Sequence, residues 1–156
     1  MKRKALYFAF GIAVVFVVVL LAGSGSGKSL ENFDEKMSIY KSSSCGCCEV
    51  YFQYFKGKGN SNVNLVTIAD NKKIMEEYGI PGFLESCHTT IVGDYFVEGH
   101  VPLEAIEKML IENPDIAGIG MPGMPSGSPG MPGAKKGDFV IYGVNHDGSL
   151  FEFMRI

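Results

Sequence analysis

The sequence predicts an α/β fold, and three successive patterns predict it. A strand pattern, an aromatic-rich helical pattern and a second strand pattern occupy residues 37–68, which is the signature of a βαβ unit. Two strand patterns joined by a short turn follow at residues 89–98 and predict a β-hairpin. An amphipathic helical pattern ends the region. Together these patterns favour a domain in which helices pack on a sheet.

The first four elements are marked by turn residues as well as by apolar spacing. Gly57 follows the aromatic-rich helix and ends it, and Gly79 ends the next helix. Asp70 is placed to cap that second helix. The predicted elements are a strand at 37–41, a helix at 49–56, a strand at 63–68 and a helix at 72–78.

The last three elements complete a thioredoxin-like arrangement. Gly93-Asp94 predicts the hairpin turn, Pro102 opens the final helix, and Asn113-Pro114 stops it. The resulting order is β-α-β-α-β-β-α. A ferredoxin-like metallochaperone is the competing fold, because it also places a C-x-x-C motif before a helix. That fold ends on a strand, however, where Pro102 here begins a helix.

A C-terminal extension follows this core. It begins with a Met/Pro/Gly loop over residues 120–133, where proline and glycine disfavour a helix or a central strand. A β-hairpin is predicted next, which either adds to a sheet edge or covers one face. The predicted organisation is therefore an N-terminal segment at 1–28, a thioredoxin-like metal-binding core at 29–118, and a Met-rich loop with a hairpin (strands 139–144 and 150–154) at 119–156.

The N-terminal segment has the pattern of a hydrophobic export helix. Residues 5–22 contain no charged side chain and follow Lys2, Arg3 and Lys4. This length just reaches what a bilayer span needs, while Ala22-Gly23-Ser24 resembles a cleavage site for small residues. A cleaved signal and a retained membrane anchor both remain open. In either case the basic N-terminus stays inside, so the domain is expected to be extracytoplasmic, either periplasmic or at the cell surface.

The distribution of charge excludes one class of partner. The chain has 14 basic and 17 acidic residues, and four of the basic residues fall within the first 28 positions. The remainder therefore carries about −7. Nucleic acid is not an expected partner, because binding it depends on neutralising phosphates. A metal cation is compatible with this charge.

The segment Cys45-Gly46-Cys47-Cys48 joins the first strand to the first helix. A helix N-terminus stabilises thiolates, and the spacing lets Cys45 and Cys48 form a redox disulfide or bind one soft cation together. A disulfide between the neighbours Cys47 and Cys48 would be strained. The motif indicates a thiol site, but it does not separate redox chemistry from metal binding.

Ser86-Cys87-His88-Thr89 lies directly before the third strand. In thioredoxin-like folds this loop packs against the C-x-x-C loop and normally carries a cis-proline, whose position His88 takes here. Cys87 is therefore expected within a few Å of the first three cysteines. Since exported cysteines tend to oxidise, alternatives stay open: two structural disulfides, or a clamp from Cys45 or Cys47 to Cys87.

Further candidate ligands are His88, His100, Met124 and Met131. His88 could equally be a hydrogen-bonded loop residue, and His100 a residue that orders the entry to the last helix. Thioethers are soft ligands that prefer copper(I) to zinc. The methionines could also simply pack over an apolar surface.

Four segments together resemble the CopG-type family of exported, thioredoxin-like metal-binding proteins, long described as a domain of unknown function. The resemblance covers about residues 37–154 and rests on Tyr40-Lys41-Ser42 with Cys45-Gly46-Cys47-Cys48, on Ser86-Cys87-His88-Thr89, on Val97-Glu98-Gly99-His100-Val101-Pro102, and on Pro122-Gly123-Met124-Pro125 with Gly127-Ser128-Pro129-Gly130-Met131. It implies a copper-resistance protein that binds copper(I) through Cys45, Cys47, Cys48 and Cys87. It also allows oxidation and reduction of these thiols to be linked to copper binding.

Three functions therefore compete. The first is extracytoplasmic binding of copper(I) for copper resistance or homeostasis, with another exported copper protein as a partner. The second is thiol-disulfide oxidoreduction, with Cys45 attacking and Cys48 resolving; copper binding alone would make the protein no enzyme. The third is a structural zinc site of four cysteines. The oxidising compartment and the methionines favour copper over zinc.

Overall fold

The computed structural model describes residues 36–156. The predicted hydrophobic helix at 5–22 and its linker lie outside the described residues. Within residues 36–156, none of the helices has the length and apolar character needed to cross a bilayer.

The described chain forms one mixed seven-stranded sheet in the order β2-β1-β3-β4-β5-β6-β7. β1 pairs in parallel with β2 and antiparallel with β3, and the β3–β4 hairpin follows the predicted turn. β5 pairs in parallel with β4, and β6 and β7 extend the sheet antiparallel. The strands are β1 (Met37–Ser42), β2 (Val63–Ile68), β3 (His88–Val92), β4 (Tyr95–Glu98), β5 (Gly118–Gly120), β6 (Val140–Val144) and β7 (Leu150–Arg155).

Among residues 36–156, three α-helices and a short 3-10 helix connect the strands. The helices are α1 (Cys47–Gly57), α2 (Lys72–Glu77) and α3 (Leu103–Glu112), with the 3-10 turn at Gly82–Leu84. The predicted order β-α-β-α-β-β-α is therefore confirmed as the order of the first seven major elements in the part of the chain that the structure describes. α1 begins two residues before the predicted start, so Cys47 and Cys48 lie in its first turn. The sequence masks this start because the N-cap is Gly46, which offers no capping side chain.

Alternation along β1 positions the core beneath α1. Met37 and Ile39 are buried on the inward face of the strand, and they share one apolar cluster with Tyr51 and Phe55 of α1. The Tyr51 hydroxyl donates a 2.8 Å hydrogen bond to the carbonyl of Val101, so the polar end of this buried ring is satisfied. The cysteine-bearing end of α1 is thereby fixed against the sheet.

The C-terminal hairpin adds to the sheet rather than covering a face, and the strand that links it was not predicted. β5 is only three residues long, Gly118-Ile119-Gly120, and carries too little pattern to stand out. Its two glycines allow neighbouring residues to pack closely against the strand. A Cβ at Gly118 would overlap the Phe96 backbone and ring, and one at Gly120 would crowd Leu84. β5 joins the hairpin to the rest of the chain within one continuous sheet.

Gly118→Ala is expected to lower the free energy of unfolding by about 1–3 kcal/mol, because the added methyl has no space beside Phe96. Gly57→Ala is the matched control, since a Cβ there meets no atom within 4 Å. Urea unfolding of both variants measures the difference. Equal stability of the two variants would show that β5 is not tightly packed against β4.

Candidate metal centre

Three sulfur atoms of the site are placed by the junction of β1 and α1. A turn closed by the amide of Cys45 and the carbonyl of Ser42 (3.1 Å) leads from the strand into the helix. Cys47 and Cys48 then occupy the first helical turn. Cys48 is fully buried and Cys45 nearly so, while Cys47 is half-buried. The free N–H groups and dipole of this helix end favour negative charge on the sulfurs.

The fourth sulfur comes from Cys87, directly before β3. The Ser42 amide donates to the Cys87 carbonyl at 3.2 Å, which extends the pairing of β1 and β3 into the cysteine loops. The Cys87 sulfur lies 2.7 Å from that of Cys45, 3.9 Å from that of Cys47 and 3.5 Å from that of Cys48. All four sulfurs lie within 4.8 Å of one another. Residues separated by about 40 positions in sequence therefore share one site.

The structure shows the site in a partly oxidised form. Cys45 and Cys48 are joined as a disulfide, with their Cα atoms 5.6 Å apart, and Cys47 and Cys87 are free thiols. The disulfide uses the C-x-x-C spacing, and neither clamp to Cys87 is formed. Binding of one cation by all four cysteines therefore requires two-electron reduction of this disulfide.

His88 faces the sulfurs with an unprotonated nitrogen. Its Nε2 lies 3.1 Å from the Gly99 carbonyl, which can only accept, so Nε2 carries the proton. Nδ1 then presents its lone pair 3.5 Å from the Cys48 sulfur and 4.0 Å from the Cys87 sulfur. Burial, with a smaller effect of His100, lowers the pKa of His88 to about 3, so the ring is neutral at pH 7. A ring nitrogen fixed by a backbone carbonyl on its far side is the usual arrangement of a metal-binding histidine.

His100 contacts the site through His88. The two rings lie 4.9 Å apart, and the His100 ring also packs edge-on against Tyr51. Its Nδ1 donates to the Pro129 carbonyl at 2.8 Å, while its buried Nε2 has no hydrogen-bond partner in the described part of the chain. Burial lowers the pKa of His100. The structure therefore gives His100 a role in fastening the Met-rich loop, and it is His88 that reaches the sulfurs.

The Met-rich loop packs on the cysteine-bearing helix. Gly130 approaches the backbone of Tyr51 so closely that a Cβ there would lie 2.9 Å from the Tyr51 nitrogen. Met131 lies in a turn closed by its amide and the Ser128 carbonyl, 2.8 Å apart, and is partly buried. Met124, in contrast, is 58% exposed. The loop thus lies beside the site, with Met131 partly buried in its turn and Met124 facing solvent.

Two charged residues at the site were not identified from the sequence. Lys41 is only 6% exposed, and its ammonium donates to the Cys45 carbonyl at 3.2 Å. Glu98 is fully buried beside the Cys87 loop. The strand pattern held a signal for both residues. Lys41 takes the next alternate position after Met37 and Ile39, which are buried, and Glu98 directly follows the buried Val97.

Glu98 braces both sides of the Cys87-His88 pair. Its Oε1 accepts hydrogen bonds from the Ser86 amide (2.8 Å) and hydroxyl (2.7 Å), and its Oε2 accepts one from the Thr89 hydroxyl (2.6 Å). Burial raises the pKa of Glu98 to about 7, against the opposing effect of these hydrogen bonds. No peptide bond is cis in the described chain, so this carboxylate, rather than a cis-proline, holds the loop.

The surroundings of Cys87 disfavour its thiolate form. Burial, and next the neighbouring Cys47, raise the pKa of Cys87 to about 11. The Cys87 thiol is therefore protonated at pH 7 in the state that the structure shows. A soft cation would displace this proton on binding, because thiolates, not thiols, are the ligands.

Comparisons with known proteins point to one family. Residues 84–131 match a family model described as "Protein of unknown function, DUF411". Two solved structures are similar to the chain. "Copper resistance protein copG- Form 2" has a TM-score of 0.71 at 32% identity, covering 78% of this chain and 98% of that one. "Copper resistance protein copG- Form 1" has a TM-score of 0.67 at 28% identity, covering 78% of this chain and 96% of that one. No curated protein sequence matches the chain.

Glu98→Gln is expected to make the protein lose stability more steeply between pH 7 and pH 4.5. Folded Glu98 holds a proton up to about pH 7, whereas the unfolded residue loses it near 4.5, so acidification over this range stabilises the native protein. His88 acts oppositely, because its pKa falls from 6.5 to about 3 on folding. In Glu98→Gln the stabilising contribution of Glu98 is absent, so the opposite contribution of His88 is no longer offset.

The measurement is the free energy of unfolding of native protein and Glu98→Gln at intervals across that pH range. The expected difference between the two profiles is roughly 3 kcal/mol over the range. Glu112→Gln is the control, since that carboxylate is exposed on α3. Parallel profiles for the native protein and Glu98→Gln would contradict the assigned pKa.

Proposed function

Because this chain belongs to the DUF411 family and is 32% identical to a solved copper resistance protein CopG, we propose that it binds copper(I) outside the cytoplasm for copper resistance or homeostasis. The observation that carries the proposal is the cluster of four cysteine sulfurs within 4.8 Å. The ligands are Cys45, Cys47, Cys48 and Cys87.

The donor chemistry supports copper(I). Thiolates are soft ligands that select copper(I), and a neutral imidazole nitrogen is a compatible neighbour. Four sulfurs exceed what one linearly coordinated copper(I) ion needs, so the site has the capacity for more than one ion. Met131 and Met124 belong to a loop beside the site, and thioethers stay usable as ligands in an oxidising compartment. Half-buried Cys47 and Cys87 offer a route for the ion to enter and leave.

Extracytoplasmic placement rests on the sequence. The uncharged residues 5–22 follow a basic N-terminus, which supports an exported domain that is either anchored in the membrane or released by cleavage. A metal ion passed between proteins there would come from, or go to, another exported copper protein. The acidic net charge of the domain agrees with a cation as cargo.

A thiol-disulfide oxidoreductase is the second candidate, and the Cys45–Cys48 disulfide favours it. Such an enzyme would need an open groove beside the disulfide for a peptide substrate. His88, fully buried and wedged between Tyr51 and His100, fills the position that shapes this groove in thioredoxin-like enzymes. Copper(I) binding and oxidation of Cys45 and Cys48 remain coupled in either case, because copper(I) needs reduced thiolates.

Titration of the reduced protein with copper(I), against a competing chelator, tests the proposal. We expect at least one tightly bound ion per chain, and binding weakened at least a hundredfold by Cys45→Ser with Cys48→Ser, because two of four thiolates are lost. His146→Asn, at an exposed turn, is the control and should bind as the native protein does. Weak binding that is unchanged by the cysteine substitutions would contradict the proposal.

Two further assays separate the alternatives. We expect reduction of insulin by the protein to stay at the rate of free dithiol, because the groove position is filled by His88; thioredoxin is the positive control. Elemental analysis after anaerobic purification should find copper in preference to zinc. Catalytic insulin reduction would favour the oxidoreductase, and stoichiometric zinc that resists copper(I) would favour a structural site.

A further inference from the structure

Lys41 is a buried cation directly beneath the cysteine loop. It follows Met37 and Ile39 on the inward face of β1, and its cross-strand neighbours are Thr67 and His88. Only 6% of the residue is exposed, and its ammonium reaches the Cys45 carbonyl at 3.2 Å. The stem is packed like a core side chain while the charge lies at the start of α1.

A positive charge in this place is costly by itself. Removing an ammonium from water is unfavourable unless an anion compensates it. The N-terminus of a helix is itself electropositive, so the dipole of α1 adds to the cost. His88, the neighbour on β3, donates through Nε2 to the Gly99 carbonyl and brings no negative charge. A backbone carbonyl satisfies a hydrogen bond but brings no net charge.

The carboxylate that pairs with Lys41 compensates only a small part of its charge. Glu49 is the carboxylate within ion-pair distance of Lys41 in the described chain, at 3.4 Å, and its side chain is 66% exposed. An exposed carboxylate is well solvated and offsets little of the cost of a buried ammonium. No buried carboxylate pairs with Lys41 in the described chain, because the buried Glu98 bonds instead to Ser86 and Thr89.

Reduction of the Cys45–Cys48 disulfide by two electrons and two protons gives thiols, and the loss of their protons to bind copper(I) creates negative charge near the N-terminus of α1. Four thiolates that bind one, two or three copper(I) ions keep a net charge of −3, −2 or −1. Cys45, whose carbonyl binds the ammonium, carries one of these sulfurs. We propose that Lys41 is the counter-ion of the reduced, copper-loaded cysteine site. The inference rests on the proposed function and adds a residue that holds no metal but tunes affinity for it.

The charge and the packing of Lys41 can be separated by substitution. Lys41→Met and Lys41→Gln remove the charge and keep most of the stem, whereas Lys41→Arg keeps the charge. Lys56→Met removes the same charge from an exposed lysine at the far end of α1. Glu49→Gln removes the visible ion-pair partner. Circular dichroism and thermal unfolding confirm that each variant is folded before it is compared.

The first readout is copper(I) affinity of the reduced protein against a competing chelator. We expect Lys41→Met and Lys41→Gln to weaken binding about tenfold or more, because a nearby charge shifts the stability of an ionised group by at least about one pK unit. Lys41→Arg, Lys56→Met and Glu49→Gln should stay within about threefold of the native protein. Native affinity in folded Lys41→Met and Lys41→Gln would overturn the proposal. So would an equal loss in Glu49→Gln, because Lys41 would then act through its pair with Glu49.

The second readout needs no copper. The rate at which iodoacetamide alkylates the reduced, metal-free protein at pH 7 reports the thiolate population. We expect Lys41→Met to react about tenfold more slowly than Lys41→Arg and the native protein. Absence of copper binding by the native protein would refute the proposed function, and this comparison would still decide whether Lys41 is the counter-ion of the reduced cysteines. Equal rates in all folded variants would overturn that role.

Discussion

The site depends on the contact between the start of α1 and the loop before β3. The hydrogen bond from the Ser42 amide to the Cys87 carbonyl draws the two loops together, and Glu98 holds the second loop from behind. Without this contact Cys45, Cys47 and Cys48 form an ordinary motif at a helix end. With it, a fourth sulfur and the Nδ1 atom of His88 meet them in one place.

Residues of the core and of the C-terminal extension both pack around this contact. Tyr51 lies at the centre: its hydroxyl binds the Val101 carbonyl, its ring packs against His88 and His100, and its backbone supports Gly130 of the Met-rich loop. His100 joins the same loop through the Pro129 carbonyl. The loop is therefore part of the wall of the site, although its sequence has no regular secondary structure pattern.

Buried charge distinguishes this site from a simple pair of cysteines. Lys41 lies under Cys45, and Glu98 lies behind Cys87, so the cysteine loops are held between a cation and a carboxylate of unusual pKa. His88, neutral and buried, is the cross-strand neighbour of Lys41 on β3. Each group costs free energy in the apolar interior, and such cost is commonly retained where it serves a binding or chemical role.

Local pattern alone determined the order of the first seven elements, because strand alternation, turn glycines and Pro102 are signals within short stretches of chain. It also identified the four cysteines. It missed β5, where three residues are held by neighbours rather than by propensity, and it missed Lys41 and Glu98. The loop arrangement of thioredoxin-like folds had already predicted Cys87 beside the other cysteines, and the structure confirms it with all four sulfurs within 4.8 Å of one another. Only the tertiary structure decided that His88 rather than His100 reaches them, and that Met124 faces solvent. Those outcomes depend on pairing between distant strands and on burial, which no short stretch of sequence contains.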